Sequence, residues 1–229
     1  MGIWRKPLVV LAGLLGMLDS ISGCSSGGNT TTTKKQDVAT TLAKPVTTTG
    51  GQSEGSSVGL TGLVITCPHG FKTEPTDSGD NRTGEETLKE EAASGPENGN
   101  ISSLRQAGWL AGYLRYCSES TSSKYASESN SIEIDLSKFQ SGKDASSYSA
   151  LEAKSAREVV GAAAAGSVPG ISTSSMTEMR MSSSIPPSYA VTFYGGEYAV
   201  SIVTFNATGT VTRGFVDSIS VAEYKLLDG

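Results

Sequence analysis

The clearest pattern of apolar and polar positions lies near the end of this 229-residue chain. Residues 188–205 contain two runs rich in aromatic and β-branched residues, which meet at Gly195-Gly196. Two glycines between such runs are typical of a two-residue hairpin turn. With that loop, Phe193 pairs with Tyr198, and the larger apolar side chains of both runs fall on one side of the sheet. The pattern predicts a β-hairpin with one buried face.

Three further strands are predicted upstream of the hairpin. Residues 109–114 alternate and carry aromatics, although a helix over 104–115 competes with this interpretation; Gly108 and Gly112 disfavour it. Residues 132–136 place isoleucine and leucine alternately with Glu133 and Asp135, which predicts a half-buried strand with one face in water. Residues 175–181 are predicted as a further strand.

Two segments have helical spacing. Residues 144–165 place Tyr148, Leu151 and Val159 near one stripe and end in alanines, and residues 215–226 repeat apolar positions at the same period. The order of elements predicts an α+β fold, an antiparallel sheet of about four or five strands with two helices packed on one face. Residues 101–229 form this core domain, and residues 60–70 add a short N-terminal segment.

The start of the chain has the layout of a secretory signal peptide. Arg5 and Lys6 precede an apolar run over residues 7–18, which Asp19 ends. Twelve helical residues reach only about 18 Å, against a hydrocarbon core of about 30 Å, so a transmembrane helix is disfavoured.

The residues that follow, Ile21-Ser22-Gly23-Cys24, resemble the lipobox of bacterial lipoprotein precursors. The resemblance implies that residues 1–23 are removed and that Cys24 carries the lipid. It places the protein on the extracytoplasmic side of the cell membrane, held there by its N-terminal lipid. Isoleucine in place of the usual leucine, and Asp19 nearby, depart from the pattern. Ordinary secretion with a leftover cysteine is the alternative.

Composition separates two polar segments from the core. Residues 24–59 form a predicted disordered tether, since twenty of the thirty-five residues from 25 to 59 are Ser, Thr or Gly and none is aromatic. Residues 71–100 hold eight acidic and three basic residues, and their net charge of −5 equals that of the whole chain. We interpret them as a disordered acidic insertion. No basic face for nucleic acid is predicted.

Two cysteines remain for the domain, Cys67 and Cys117. In an exported protein the first expectation is a disulfide. The alternative makes Cys67 and His69 a nucleophile and base, or metal ligands. His69 is the only histidine, and a zinc site needs three or four ligands, so neither a metal site nor a cofactor is predicted.

The core pattern is also similar to small extracytoplasmic sensor-type lipoprotein domains of actinobacteria. The similarity lies in an aromatic strand, an acidic alternating strand, a helix and a late hairpin, and it assigns no functional residue. It implies a non-catalytic binding or sensing domain of unknown ligand. One alternative is a carrier of an apolar small molecule or lipid, with Trp109, Tyr113, Tyr189, Phe193 and Tyr198 around a pocket rather than in the core. An envelope enzyme is the other.

Overall fold

The structure is a computed structural model that describes residues 59–74, 83–96, 100–119 and 129–228. The predicted signal peptide, the lipidation site at Cys24 and the predicted tether up to residue 58 lie outside these residues. Their predictions therefore stay predictions.

The described residues open with a short 3-10 helix, Leu60–Leu63, and continue with eight strands and four α-helices. In chain order these are β1 (Phe71–Thr73), β2 (Gly84–Glu86), α1 (Leu88–Ser94), α2 (Ile101–Gln106), β3 (Trp109–Glu119), β4 (Ser131–Phe139), α3 (Gly142–Arg157), β5 (Ala162–Gly166), β6 (Ser175–Met179), β7 (Ser188–Gly195), β8 (Tyr198–Phe205) and α4 (Arg213–Leu227).

All eight strands form one antiparallel sheet in the order β1-β3-β4-β8-β7-β6-β5, with β2 also paired to β3. The predicted α+β class and antiparallel sheet are confirmed. The predicted number of four or five strands is wrong, because β1, β2 and β5 come from segments whose composition does not favour strand.

The β7–β8 hairpin is confirmed with a shifted register. Gly195 pairs with Tyr198 and Phe193 with Val200, so the loop is Gly196-Glu197 instead of Gly195-Gly196. Gly196 takes the left-handed conformation that this tight turn needs, at φ 55°. The register moves by two residues, which keeps every side chain on its predicted face.

The two long helices lie on opposite faces of the sheet, which corrects the prediction that both pack on one face. Val216 and Ile219 of α4 join the same cluster as Val191 and Phe193 of β7. Ala145, Tyr148 and Ala156 of α3 instead pack against side chains of the other face. The sheet is the middle layer because its strands have apolar residues on both sides.

The alanine-rich end of the predicted helix over 144–165 is a strand. α3 ends at Arg157, and Gly161 turns the chain at φ 80° with the carbonyl of Arg180 against its Cα. Ala162–Gly166 then pairs with β6 at the sheet edge. The pairing partner overrides the helix propensity of alanine.

The acidic segment 71–100 was predicted as a disordered insertion, and this is wrong for its described stretches. β1 and β2 pair with β3, and α1 packs Ala92 with Leu104 of α2 and Phe139 of β4. The β4 face that carries Glu133 and Asp135 was expected to face water. The structure corrects this, because α1, α2 and α3 cover this side of the sheet and both residues are only half-exposed.

Candidate functional site

Three carboxylates from separate elements meet on the α3 side of the sheet. We refer to Glu86 of β2, Glu91 of α1 and Asp135 of β4 as the carboxylate cluster. One carboxylate oxygen from each lies within 4.8 Å of the others, with Glu86 and Glu91 buried and Asp135 half-buried. The arrangement brings three carboxyl groups together in a region of low dielectric.

Local structure positions each member of the cluster. Glu86 ends β2 opposite Gly112, where a side chain on residue 112 would press on Trp109 and Glu86 at 3.1 and 3.3 Å. Glu91 lies in the first turn of α1, which begins with a capping box between Thr87 and Glu90. β4 carries Asp135 directly across from Leu114 of β3.

Tyr148 of α3 closes the cluster from the helix layer. Its hydroxyl donates a hydrogen bond to Glu91 Oε1, and its ring packs 4.9 Å from that of Phe139. Burial raises the pKa of Tyr148 well above its usual value, and the charge of Glu91 adds to this effect. Tyr148 therefore stays protonated and acts as a donor. Gly95 leaves the space for this hydroxyl.

Carboxylate oxygens are the ligands that Ca²⁺ and Mg²⁺ prefer, so the cluster is the place among the described residues where a divalent cation could be held. Sequence reasoning missed it. Asp135 was interpreted as a solvated residue, and both glutamates lie in the segment interpreted as an insertion. The Thr87-x-x-Glu90 capping motif was the available signal that a helix begins there.

A second buried polar group lies on the α4 side of the sheet. Arg115 of β3 donates from Nη1 to the carbonyl oxygens of Val64 (2.9 Å) and Ile65 (2.6 Å), and from Nη2 to the Tyr113 hydroxyl (3.3 Å). The backbone N–H of Ile65 donates to Oε2 of Glu223 on α4 at 2.8 Å. Two side chains thus bind the backbone of one extended segment.

Glu223 is fully buried, and its ionisation is unfavourable there. Burial raises the pKa of Glu223 to about 7, against the lowering effects of the Ile65 amide and the Arg115 charge. Glu223 Oε1 and Arg115 Nε have no hydrogen-bond partner among the described residues. This carboxyl is therefore a titratable group near neutral pH within the core.

The predicted disulfide is present between Cys67 and Cys117, whose Cα atoms are 5.7 Å apart. It joins the segment before β1 to β3. Because Cys67 is bonded, the alternative that made it a thiol nucleophile or metal ligand with His69 is wrong. His69 itself is exposed in the turn that leads into β1.

The aromatic residues considered for a ligand pocket belong to the packing of the sheet. Phe193 is fully buried and meets Tyr224 of α4 edge-on at 5.9 Å between ring centroids. Tyr113 and Tyr189 are also buried in this cluster, with Tyr198 at its margin. Trp109 lies on the other face, where its Nε1 donates to Ser137 Oγ at 2.9 Å.

This fold resembles a known one. It matches the extracellular domain of PknH from Mycobacterium tuberculosis with a TM-score of 0.50 and 11% sequence identity, over 78% of this chain and 99% of that chain. The likeness is one of fold, at an identity too low to transfer residues. No family model matches the sequence, and no curated protein sequence matches it.

The disulfide agrees with an oxidising compartment. Among the described residues, no helix has both the length and the apolar character needed to cross a membrane.

Proposed function

We propose that this protein is a lipid-anchored, non-catalytic domain that binds or senses a ligand on the extracytoplasmic side of the cell membrane. The observation that carries the proposal is the likeness of its fold to an extracellular domain, over nearly the whole of that domain.

Two features of this chain support the proposed location. The first is the disulfide between Cys67 and Cys117. Disulfides persist in oxidising compartments and are rare in reducing ones. The sequence Ile21-Ser22-Gly23-Cys24, after a basic and apolar start, supports cleavage and lipidation at Cys24. The described domain then begins at residue 59, some thirty-five residues beyond the lipid.

The binding role is supported by the buried charged groups on both faces of the sheet. The carboxylate cluster on one face and the Arg115 guanidinium on the other are ionisable groups in regions where burying a charge costs free energy.

The anchor is tested by fractionating cells that express the full chain or its Cys24→Ala variant, with Ser25→Ala as the matched control. The parent and the control should incorporate labelled fatty acid and partition with membranes. The Cys24→Ala variant should do neither. Membrane partitioning of Cys24→Ala equal to that of the parent would contradict the lipid anchor.

The side of the membrane is tested by adding protease to intact spheroplasts. The domain should be degraded while a cytoplasmic marker survives, and protection of the domain would contradict an extracytoplasmic location.

The binding role is tested by native mass spectrometry of the released Cys24→Ala protein. A bound ligand should give a mass above that calculated from the sequence. Turnover of a substrate by the same preparation would contradict a purely binding role.

A further inference from the structure

The segment that leads into the domain is held by backbone contacts as well as by apolar burial. We refer to residues 60–66 as the strap. Leu60 and Val64 are 5% and 3% exposed and belong to the core cluster that includes α4. The other contacts are those from Arg115 to the carbonyls of Val64 and Ile65, and from the Ile65 amide to Glu223.

One end of the strap is held by a covalent link. Cys67 follows it directly, and the disulfide to Cys117 ties that point to β3. Its other end continues into the predicted tether. Residues 60–66 can therefore leave the domain surface while Cys67 and β1 keep their positions, since no covalent link holds residues 60–66 themselves to the domain.

Few charged groups surround Glu223. The strap has no titratable side chain, and β3 contributes Arg115 and the Tyr113 hydroxyl. On α4 itself, Asp217 pairs with Arg213 at 3.9 Å and Lys225 is exposed. Arg115 directs Nη1 to the strap carbonyls and Nη2 to the Tyr113 hydroxyl, and none of these hydrogen bonds goes to Glu223. An ionised Glu223 is consequently poorly compensated while the strap is closed.

We propose that the strap opens and closes over Arg115 and Glu223, and that ionisation of the Glu223 carboxyl favours the open form. Opening admits water to the carboxylate and frees the guanidinium from its two carbonyl acceptors. The inference goes beyond the proposed function and does not depend on it, because it concerns only the contacts of the described domain.

The direction of the pH effect follows from the two states. With the strap closed, burial raises the pKa of Glu223 to about 7; in water the carboxyl returns to its usual 4.5. The closed strap is therefore fully favoured below pH 4.5 and loses stability as the pH rises to 7. Linkage increases the opening equilibrium constant on the order of ten-fold to a hundred-fold between pH 5 and pH 8.

The closed form remains the major one throughout. Opening exposes the apolar side chains of Leu60 and Val64, whose burial favours the closed form. The open state is therefore a minor population, which native-state hydrogen exchange can detect.

The experiment measures amide hydrogen exchange of the full chain by mass spectrometry between pH 5 and pH 8, corrected for the intrinsic rate at each pH. Amides of residues 60–66, Ile65 above all, should lose protection by about ten-fold to a hundred-fold as the pH rises. Amides of β4 and β8 provide the internal reference and should not follow this change.

Glu223→Gln supplies the matched variant, because it keeps an acceptor for the Ile65 amide and cannot ionise. Its strap should keep the same protection at pH 8 as at pH 5. Glu197→Gln, at an exposed carboxylate in the β7–β8 loop, is the control and should behave as the parent.

Three results would overturn the proposal. The first is strap protection that does not change with pH in the parent. The second is strap exchange that runs parallel to β4 and β8 at every pH, which indicates global unfolding only. The third is a pH dependence in Glu223→Gln equal to that of the parent. The first two need only the parent protein, so they decide the matter even if Glu223→Gln does not fold.

Discussion

Asn130 shows how a single side chain organises one end of this sheet. It lies directly before β4 and is fully buried. Its amide group donates to Glu119 Oε2 at 2.6 Å and to Thr208 Oγ1 at 2.7 Å, while its carbonyl oxygen accepts from the backbone N–H of Ala207 at 2.7 Å. The residue therefore joins the ends of β3 and β4 to the loop that precedes α4.

Replacing this side chain should cost more than an ordinary hydrogen bond. Asn130→Ala leaves the part-buried N–H groups of Ala207 and Thr208 without their acceptor and removes the donor to the Glu119 carboxylate, and each lost hydrogen bond costs about 0.5–3 kcal/mol. We expect the free energy of unfolding, measured by urea titration, to fall by about 2–4 kcal/mol.

Asn130→Asp distinguishes the acceptor role of this side chain from its donor role. It retains the acceptor, loses the donors and puts a negative charge beside Glu119, so it should also destabilise the protein. Ser182→Ala, at an exposed loop residue, is the control and should change little. Unfolding of Asn130→Ala within about 0.5 kcal/mol of the parent would show that the contacts are not needed.

At the scale of the element, local periodicity predicted the strands and helices that bury one clear face. β4, the β7–β8 hairpin and α4 were predicted in this way, because the spacing of their apolar positions matches the face that each element buries. The two-residue shift in the hairpin was not predictable: either register buries Phe193 and Val200, and the sequence does not decide between them.

Elements whose partner is distant in sequence were missed. Ala162–Gly166 has the composition of a helix end, and only its pairing with β6 makes it a strand. Residues 84–94 are strongly polar, and they are ordered by contacts with β3, Phe139 and Tyr148 that no local pattern records. The carboxylate cluster was not predicted because two of its members lie in this polar stretch. The disulfide was predicted because two cysteines remain in a domain expected to be exported.

The contact between the hairpin and α4 provides the test at this scale. Phe193→Ala removes a fully buried ring that packs on Tyr224, and large-to-small changes of this kind cost about 3–5 kcal/mol. The thermal unfolding midpoint and the urea midpoint should both fall. Leu151→Ala on α3 is the matched control, since Leu151 is 43% exposed and should change stability by less than about 1 kcal/mol. Equal effects of the two variants would contradict the assigned core.

At the scale of the whole molecule, the sheet is a middle layer with separate polar groups on each side. The carboxylate cluster lies under α1 and α3, and the strap, Arg115 and Glu223 lie on the side of α4. The disulfide is the covalent link between the chain entry and this central layer. Its loop encloses β1, β2, α1 and α2, so it constrains all of the residues that contribute Glu86 and Glu91.

Loss of the disulfide should therefore weaken the whole domain. Closing a loop with a sequence separation of 50 residues is worth about 4 kcal/mol in the chain-entropy model. In a Cys24→Ala background, which removes the remaining thiol, the double change Cys67→Ser and Cys117→Ser should lower the free energy of unfolding by about that amount. Reductant should produce the same loss in the parent and none in the double variant. Without the disulfide the unfolded chain gains conformational entropy. The variant should therefore still unfold in one transition, with a lower urea midpoint. A double variant as stable as its oxidised parent would show that packing alone positions the strap and the segment from β1 to α2.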